Sequence, residues 1–233
     1  MKRIIWTISI VLASVLIGGF TLTPNATLKG AWKMNDGILL CTDNYFSLAH
    51  FDVQKKRFDR TIGGTYNLNG NTITLKIEFS YPDTTLVGES LETTIDIKDN
   101  KFLFKNNDIL ETWEKIPEEN GSPLSALWQI VGREQKDGAM GEIKRGARKT
   151  IKILTQNRFQ WIALNTETKV FSGTGGGTYT FKDGKYTETI EFFSRDSSRV
   201  GMSLSFDSQV EGDKWYHTGK SSKGDRVHEI WQK

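Results

Sequence analysis

The chain contains a copy of itself. Gly63-Gly64-Thr65-Tyr66 returns as Gly176-Gly177-Thr178-Tyr179, 113 positions further on. The same offset aligns Phe46 with Phe159, Ile77-Glu78-Phe79 with Ile190-Glu191-Phe192, Val87-Gly88 with Val200-Gly201, Ser90-Leu91 with Ser203-Leu204, and Lys101 with Lys214. One register held over that length is a tandem duplication, and a repeat has to be recognised before any fold is argued. The period is that of a whole domain rather than a solenoid unit, so whatever fold one copy adopts must be built twice. The functional question becomes how the second copy departs from the first.

The two ends and the charge narrow the possibilities. Lys2 and Arg3 precede an uncharged apolar run, Ile4 to Phe20, and a short polar stretch ending near Ala26. This pattern predicts an export signal over residues 1–26, with an uncleaved N-terminal anchor helix as the alternative, because the run approaches spanning length. Membrane contact is expected only through that segment, and the localisation it implies is periplasmic or secreted. Without Lys2 and Arg3, 29 basic residues face 28 acidic ones. Such balance excludes nucleic acid as the main partner, which would require a basic surplus on one face. Cys41 is the only cysteine, so no internal disulfide exists; its place in Ile38-Leu39-Leu40-Cys41 predicts a buried apolar thiol.

Each copy reads as a series of short strands. In the first they are expected near Gly30–Met34, Ile38–Thr42, Tyr45–Asp52, Thr61–Leu68, Thr72–Ser80, Gly88–Ile97, Lys101–Lys105 and Ile109–Lys115. Turn signals separate them: Asn35-Asp36-Gly37, Asn69-Gly70-Asn71, Asp99-Asn100 and Asn106-Asn107-Asp108. The second copy repeats the order, with Lys182-Asp183-Gly184-Lys185 as its clearest hairpin. Consecutive strands joined by tight turns favour an up-and-down meander, and closing the meander removes both exposed edges. The predicted class is all-β: two tandem eight-stranded up-and-down antiparallel β-barrels after an N-terminal signal or anchor helix. The predicted boundaries are 27–116 for barrel 1, 117–123 for a linker and 124–233 for barrel 2. A single large outer-membrane barrel competes, but it would need a lipid-facing apolar stripe on strands of about ten residues; Lys76, Glu78, Lys152 and Glu191 fall opposite the apolar faces, which argues against it.

Leu28-Lys29-Gly30-Ala31-Trp32 resembles the Gly-x-Trp opening of lipocalins, in which the Trp plugs the closed end. The second copy keeps the Trp in Leu124-Ser125-Ala126-Leu127-Trp128 and replaces the Gly with Ala126. Together with Gly-Gly-Thr-Tyr, Tyr186-Thr187-Glu188-Thr189-Ile190-Glu191, Asp213 to Gly219 and Glu229-Ile230-Trp231, the pattern is similar to exported bacterial lipocalin-like domains. The resemblance covers nearly all of the second copy and a weaker form of the first. It implies a small-ligand barrel with no defined ligand, since a fold does not fix a function.

Alternation assigns the interior. In copy one, Ile73, Leu75, Ile77 and Phe79 should point inward, joined by Phe46, Leu48 and His50, by Leu91, Thr93, Ile95 and Ile97, and by Phe102 and Phe104. Copy two changes this set in one direction: Ile73 becomes Tyr186, Leu75 becomes Glu188, Leu48 becomes Trp161, Phe102 becomes Trp215 and Phe104 becomes His217. With Tyr179 and Glu229, these form the candidate ligand-binding set. A buried carboxylate must be paired, and Glu188 with His217 is the expected pair. A bulge would flip these faces and leave Glu188 solvated. Trp32, Trp113, Trp128 and Trp231 read as structural, and Gly64 and Gly177 as bulge or close-packing positions. The run Gly173 to Gly177 lacks the Lys and the following helix of a phosphate loop.

Trp32 to Phe46 spans 14 positions and Trp128 to Phe159 spans 31. The extra length falls in Gly132–Lys149, a segment with Arg133, Lys136, Lys144, Arg145, Arg148 and Lys149. In lipocalins the corresponding loop lies over the mouth, so the resemblance implies a basic lid favouring an anionic ligand. The leading expectation is an exported carrier or sensor for a small hydrophobic or anionic amphipathic molecule in barrel 2, with barrel 1 structural or facing a protein partner. No cofactor is expected, and His217, His228, Glu188 and Glu229 lack diagnostic metal spacing. Two alternatives remain open: an acid/base isomerase or hydrolase using Glu188 and His217, and an envelope interaction module with both barrels filled.

Overall fold

The computed structural model describes residues 27–106, 109–119 and 121–233. The expected leader, residues 1–26, lies outside them. Among the described residues no helix is long and apolar enough to cross a membrane. The architecture is all-β. The first eight strands are β1 (Gly30–Met34), β2 (Gly37–Cys41), β3 (Tyr45–Asp52), β4 (Arg57–Asn69), β5 (Thr72–Tyr81), β6 (Ser90–Lys98), β7 (Lys101–Asn106) and β8 (Ile109–Lys115). They pair in chain order, and β8 returns to β1 through Trp32 opposite Lys115. The second set is β9 (Leu127–Glu134), β10 (Met140–Glu142), β11 (Arg148–Leu154), β12 (Arg158–Asn165), β13 (Val170–Lys182), β14 (Lys185–Phe193), β15 (Ser203–Glu211), β16 (Lys214–Lys220) and β17 (Arg226–Gln232). Here β9 and β11 to β17 close through Glu229 opposite Arg133, while β10 pairs with β9 alone. Two separate eight-stranded barrels result, not one large one.

Turn chemistry sets the meander. Asp99 and Asn100 both have positive φ, 50° and 61°, and so do Asp183 and Gly184, 52° and 71°. Two consecutive left-handed residues make the hairpin turn whose twist matches the flanking strands. The first Trp of each barrel is fully buried. The Trp32 indole N–H donates to the Leu28 carbonyl at 2.7 Å and that of Trp128 to Leu124 at 2.8 Å, so replacing Gly30 by Ala126 leaves this contact unchanged.

Two expectations about the interior fail for local reasons. Gly64 pairs with Ile77 but Gly63 pairs with Phe79, leaving Glu78 as an extra residue on β5. The bulge reverses the face, and Phe79 leaves the barrel interior for the contact between barrels. Gly177, Gly176, Ile190 and Phe192 repeat the device around Glu191. Gly64 is required there: a Cβ would sit 2.0 Å from the Lys76 carbonyl oxygen, and one on Gly177 equally close to that of Thr189. His50, also expected inside, instead sits beside a register shift and contacts Asp36 at 3.1 Å.

The outer faces of β2, β3, β11 and β12 are apolar because they pack on the other barrel. Leu40, Tyr45 and Phe79 meet Ile151, Ile153, Ile162 and Leu164, and Phe51 stacks on Phe192 with ring centroids 4.6 Å apart. At the centre the Gln160 amide accepts from Ser47 at 2.6 Å and donates to Thr61 and Thr174 at 3.0 Å each. The linker is held too: Glu118 accepts the Ala31 and Asn157 amide N–H groups, one from each barrel.

Candidate functional site

The polar substitutions of the second copy converge on one cavity inside barrel 2, about 460 Å³ in volume. Tyr186 and Glu188 come from β14, Trp161 from β12, Trp215 and His217 from β16, and Glu229 from β17. Trp161, Glu188, His217 and Glu229 line the cavity directly. Tyr186 lies beneath Glu188 and donates its hydroxyl to Glu188 Oε2 at 3.0 Å. Trp215 packs below, edge-on to Trp128 and Tyr186. Tyr179 belongs to the core: its hydroxyl reaches the Thr155 carbonyl at 2.7 Å and Ser122 at 2.7 Å, so it supports the wall without facing the space. Trp161 can lie against β13 because Gly175 opposes it; a Cβ there would come within 2.8 Å of the indole nitrogen.

The expected Glu188–His217 pair does not form. Glu188 instead meets Lys152, Nζ to Oε2 at 3.4 Å, with both side chains buried. Lys152 had been placed opposite the apolar face of its strand, and it is; but that apolar face, Ile151 and Ile153, covers barrel 1, so the opposite face is the inside of barrel 2. The lysine is 5% exposed. Its ammonium lies 5.1–5.6 Å from the ring centroids of Phe159, Tyr186, Trp215 and Trp231. Four ring faces and a carboxylate replace the water the charge has lost. The signal for this residue was available: the 113-residue offset sets Lys152 on Leu39, and Lys152 pairs with Trp128 and Trp161 as Leu39 pairs with Trp32 and Leu48.

Protonation states follow from this arrangement. Burial, reinforced by the Lys152 charge, holds His217 well below the ordinary imidazole range, so it is neutral near pH 7. Its ring stacks on Phe206 at 4.0 Å, and its Nδ1 has no hydrogen-bond partner. Burial, then the Glu188 carboxylate, pushes the Tyr186 phenol well above its usual range, so it remains a donor. Glu229 accepts Arg133 at 2.7 Å and the Trp231 indole N–H at 3.1 Å.

The basic segment is only partly a lid. β9 runs on to Glu134, and β10 folds back against it. Arg133, Arg148 and Lys149 line the cavity, whereas Arg145 turns away and donates to the Lys233 carbonyl at 2.8 Å, and Lys136 and Lys144 are not part of the lining. Arg195, beyond the reach of the sequence pattern, joins the wall. The lining thus holds five cationic side chains, Arg133, Arg148, Lys149, Lys152 and Arg195, against the carboxylates Glu188 and Glu229. Lys149 is matched by Glu78 of barrel 1 at 2.8 Å. Among the described residues Arg148 and Arg195 have no carboxylate partner, and no group of three His, Cys, Asp or Glu is placed to hold a metal ion.

The chain folds as two closed eight-stranded up-and-down β-barrels in tandem, the architecture that its sequence resemblance to lipocalin-like domains implied. Residues 123–233, which span barrel 2, match the family model described as a domain of unknown function, DUF4488. A lipocalin-like protein from Bacteroides uniformis ATCC 8492 superposes with a TM-score of 0.34 and 14% identity, covering 48% of this chain and 99% of that one. No curated protein matches the chain.

Proposed function

We propose that this is an exported binding protein whose second barrel captures a small amphipathic molecule with an anionic head. The carrying observation is the excess of cations in the barrel 2 lining, above all Arg148 and Arg195, which have no carboxylate partner among the described residues; Arg148 offers the open fork, and Arg195, held through Nε and Nη2 to the Ser172 carbonyl, adds a second positive charge. An Arg fork binds a carboxylate through two charge-assisted hydrogen bonds. The tail would lie on Trp161, Phe193, Leu204 and Phe206, the aromatic and apolar part of the same wall; such a mix of greasy walls and few placed polar groups is typical of ligand pockets. The acid/base alternative depended on contact between Glu188 and His217. Glu188 is instead engaged by Lys152 and Tyr186, which favours binding over turnover.

Native mass spectrometry of protein purified from its source should show a co-purifying small acid. Calorimetric titration should give dodecanoate an affinity at least about tenfold above dodecanol, the equivalent of roughly 1.4 kcal/mol. Arg148→Ala with Arg195→Ala should erase that preference. Equal affinity for acid and alcohol in the unmodified protein, or a preference untouched by the double substitution, overturns the reading. Export rests on Lys2, Arg3 and the apolar run that follows. A mature N-terminus near Thr27 marks a cleaved leader, an intact Met1 in the membrane fraction marks an anchor, and an intact soluble chain contradicts both.

A further inference from the structure

Barrel 1 also encloses a cavity, of about 230 Å³, and its lining is of the opposite character. Leu39, Leu48, Ile73, Leu75, Phe102 and Phe104 occupy the positions that hold Lys152, Trp161, Tyr186, Glu188, Trp215 and His217 in barrel 2. Among the described residues no Lys, Arg or His lines it, and the one charged side chain there is Glu111. The two barrels share a carboxylate-to-indole hydrogen bond, Glu111 with Trp113 at 3.2 Å and Glu229 with Trp231 at 3.1 Å. Only barrel 2 completes it with a guanidinium. β9 extends to Glu134 and so delivers Arg133 to Glu229, whereas β1 stops at Met34. Among the described residues Glu111 has no cationic partner.

We propose that barrel 1 is a second ligand site, for a short aliphatic chain ending in a hydrogen-bond donor, an alcohol or an amine. The site is independent of whether barrel 2 binds anything. An apolar cavity of about 150 Å³ stays dry and takes up benzene, so this one suits an aliphatic chain of roughly eight carbons. Dry apolar walls favour the chain. The Glu111 carboxylate accepts a donor head and repels an anion, because two like charges in a poorly solvated space cannot both be compensated. Taken with the reading of barrel 2 proposed above, on which this last step alone rests, the two barrels sort amphipathic molecules by head group, acids to barrel 2 and donors to barrel 1.

The test titrates the full chain with 1-octanol, octylamine and octanoate. Uptake by barrel 1 is read as the part of each isotherm that Leu48→Trp removes, so that it is separated from uptake by barrel 2. That part should be present for octanol and octylamine and at least about tenfold weaker for octanoate. Glu111→Gln should remove that discrimination. Leu48→Trp, which installs the side chain barrel 2 carries at the same position, should remove the barrel 1 share of octanol binding; Leu75→Phe provides a smaller obstruction if the first variant misfolds, as judged by near-UV circular dichroism. Octanol binding that both substitutions leave unchanged in folded protein overturns the site. Octanoate binding as tight as octanol in the share that Leu48→Trp removes overturns the head-group rule.

Discussion

Lys152 and Glu188 stand where barrel 1 has Leu39 and Leu75, and each is tolerable only because of the other. Removing one partner of a buried pair leaves an uncompensated charge, whereas replacing both by hydrocarbon can be nearly neutral. Lys152→Leu alone should therefore cost about 3–5 kcal/mol. Lys152→Leu with Glu188→Leu should be more stable than that single variant, short only of the roughly 1–3 kcal/mol owed to the orphaned Tyr186 hydroxyl. Urea unfolding measures both, and a double variant no better than the single one would deny the pairing. His217 offers a second test. Its folded pKa lies below its unfolded value, near 6.5, so the unfolded chain binds the proton more readily and the folded state loses stability as pH falls through the mid-6 range. Acidification below that point should remove up to about 1.4 kcal/mol per pH unit from this group. His217→Phe, the residue of barrel 1, should flatten that part of the unfolding curve. An unchanged slope would mean that the ring is charged or solvated in the native protein.

At the level of the strand, the bulges opposite Gly64 and Gly177 decide what faces where. A Cβ on Gly177 would overlap the Thr189 carbonyl, so Gly177→Ala must distort the bulge that presents Phe192 to barrel 1. The expected cost is about 2–4 kcal/mol, within the range of strained-backbone and packing defects. Gly146→Ala, with nothing within 4 Å, should change stability by less than about 0.5 kcal/mol. Similar melting curves for the two would show that the bulge absorbs a side chain. These bulges also mark the limit of what periodicity reveals. Alternation and turn residues located β1, β3 and β8 to the residue and placed Ile73, Leu75 and Ile77 inside. Phe79 was assigned to the wrong side because an extra residue leaves no trace in an apolar/polar pattern. Lys152 is hard to read for a related reason: alternation marks Ile151 and Ile153 as an apolar face, but not that this face meets a neighbouring barrel. The register of the repeat carried the correct answer where the local pattern did not.

Across the molecule, the same observation explains why the barrels act as one body. β3 is buried on both faces along most of Tyr45–Phe51, as expected of a strand covered on two sides. One side lines barrel 1 and the other meets barrel 2. Gln160 bonds to Ser47, Thr61 and Thr174, so separating the barrels would leave a cluster of polar groups to be rehydrated as well as aromatic surface to be exposed. Lys149 lines the barrel 2 cavity while its charge is met by Glu78 of barrel 1, so the interface also shapes the proposed site. The unmodified chain should then unfold in one transition, with fluorescence and circular dichroism coincident. Phe79→Ser with Phe192→Ser removes a buried ring from each side of the contact, each at a cost of roughly 3–5 kcal/mol, and should split that transition in two. The split variant should also bind dodecanoate more weakly, because Lys149 loses its fixed position over the cavity. Coincident transitions in the double variant, or separate ones in the unmodified chain, would show that each barrel stands alone and that the contact between them is incidental to its stability.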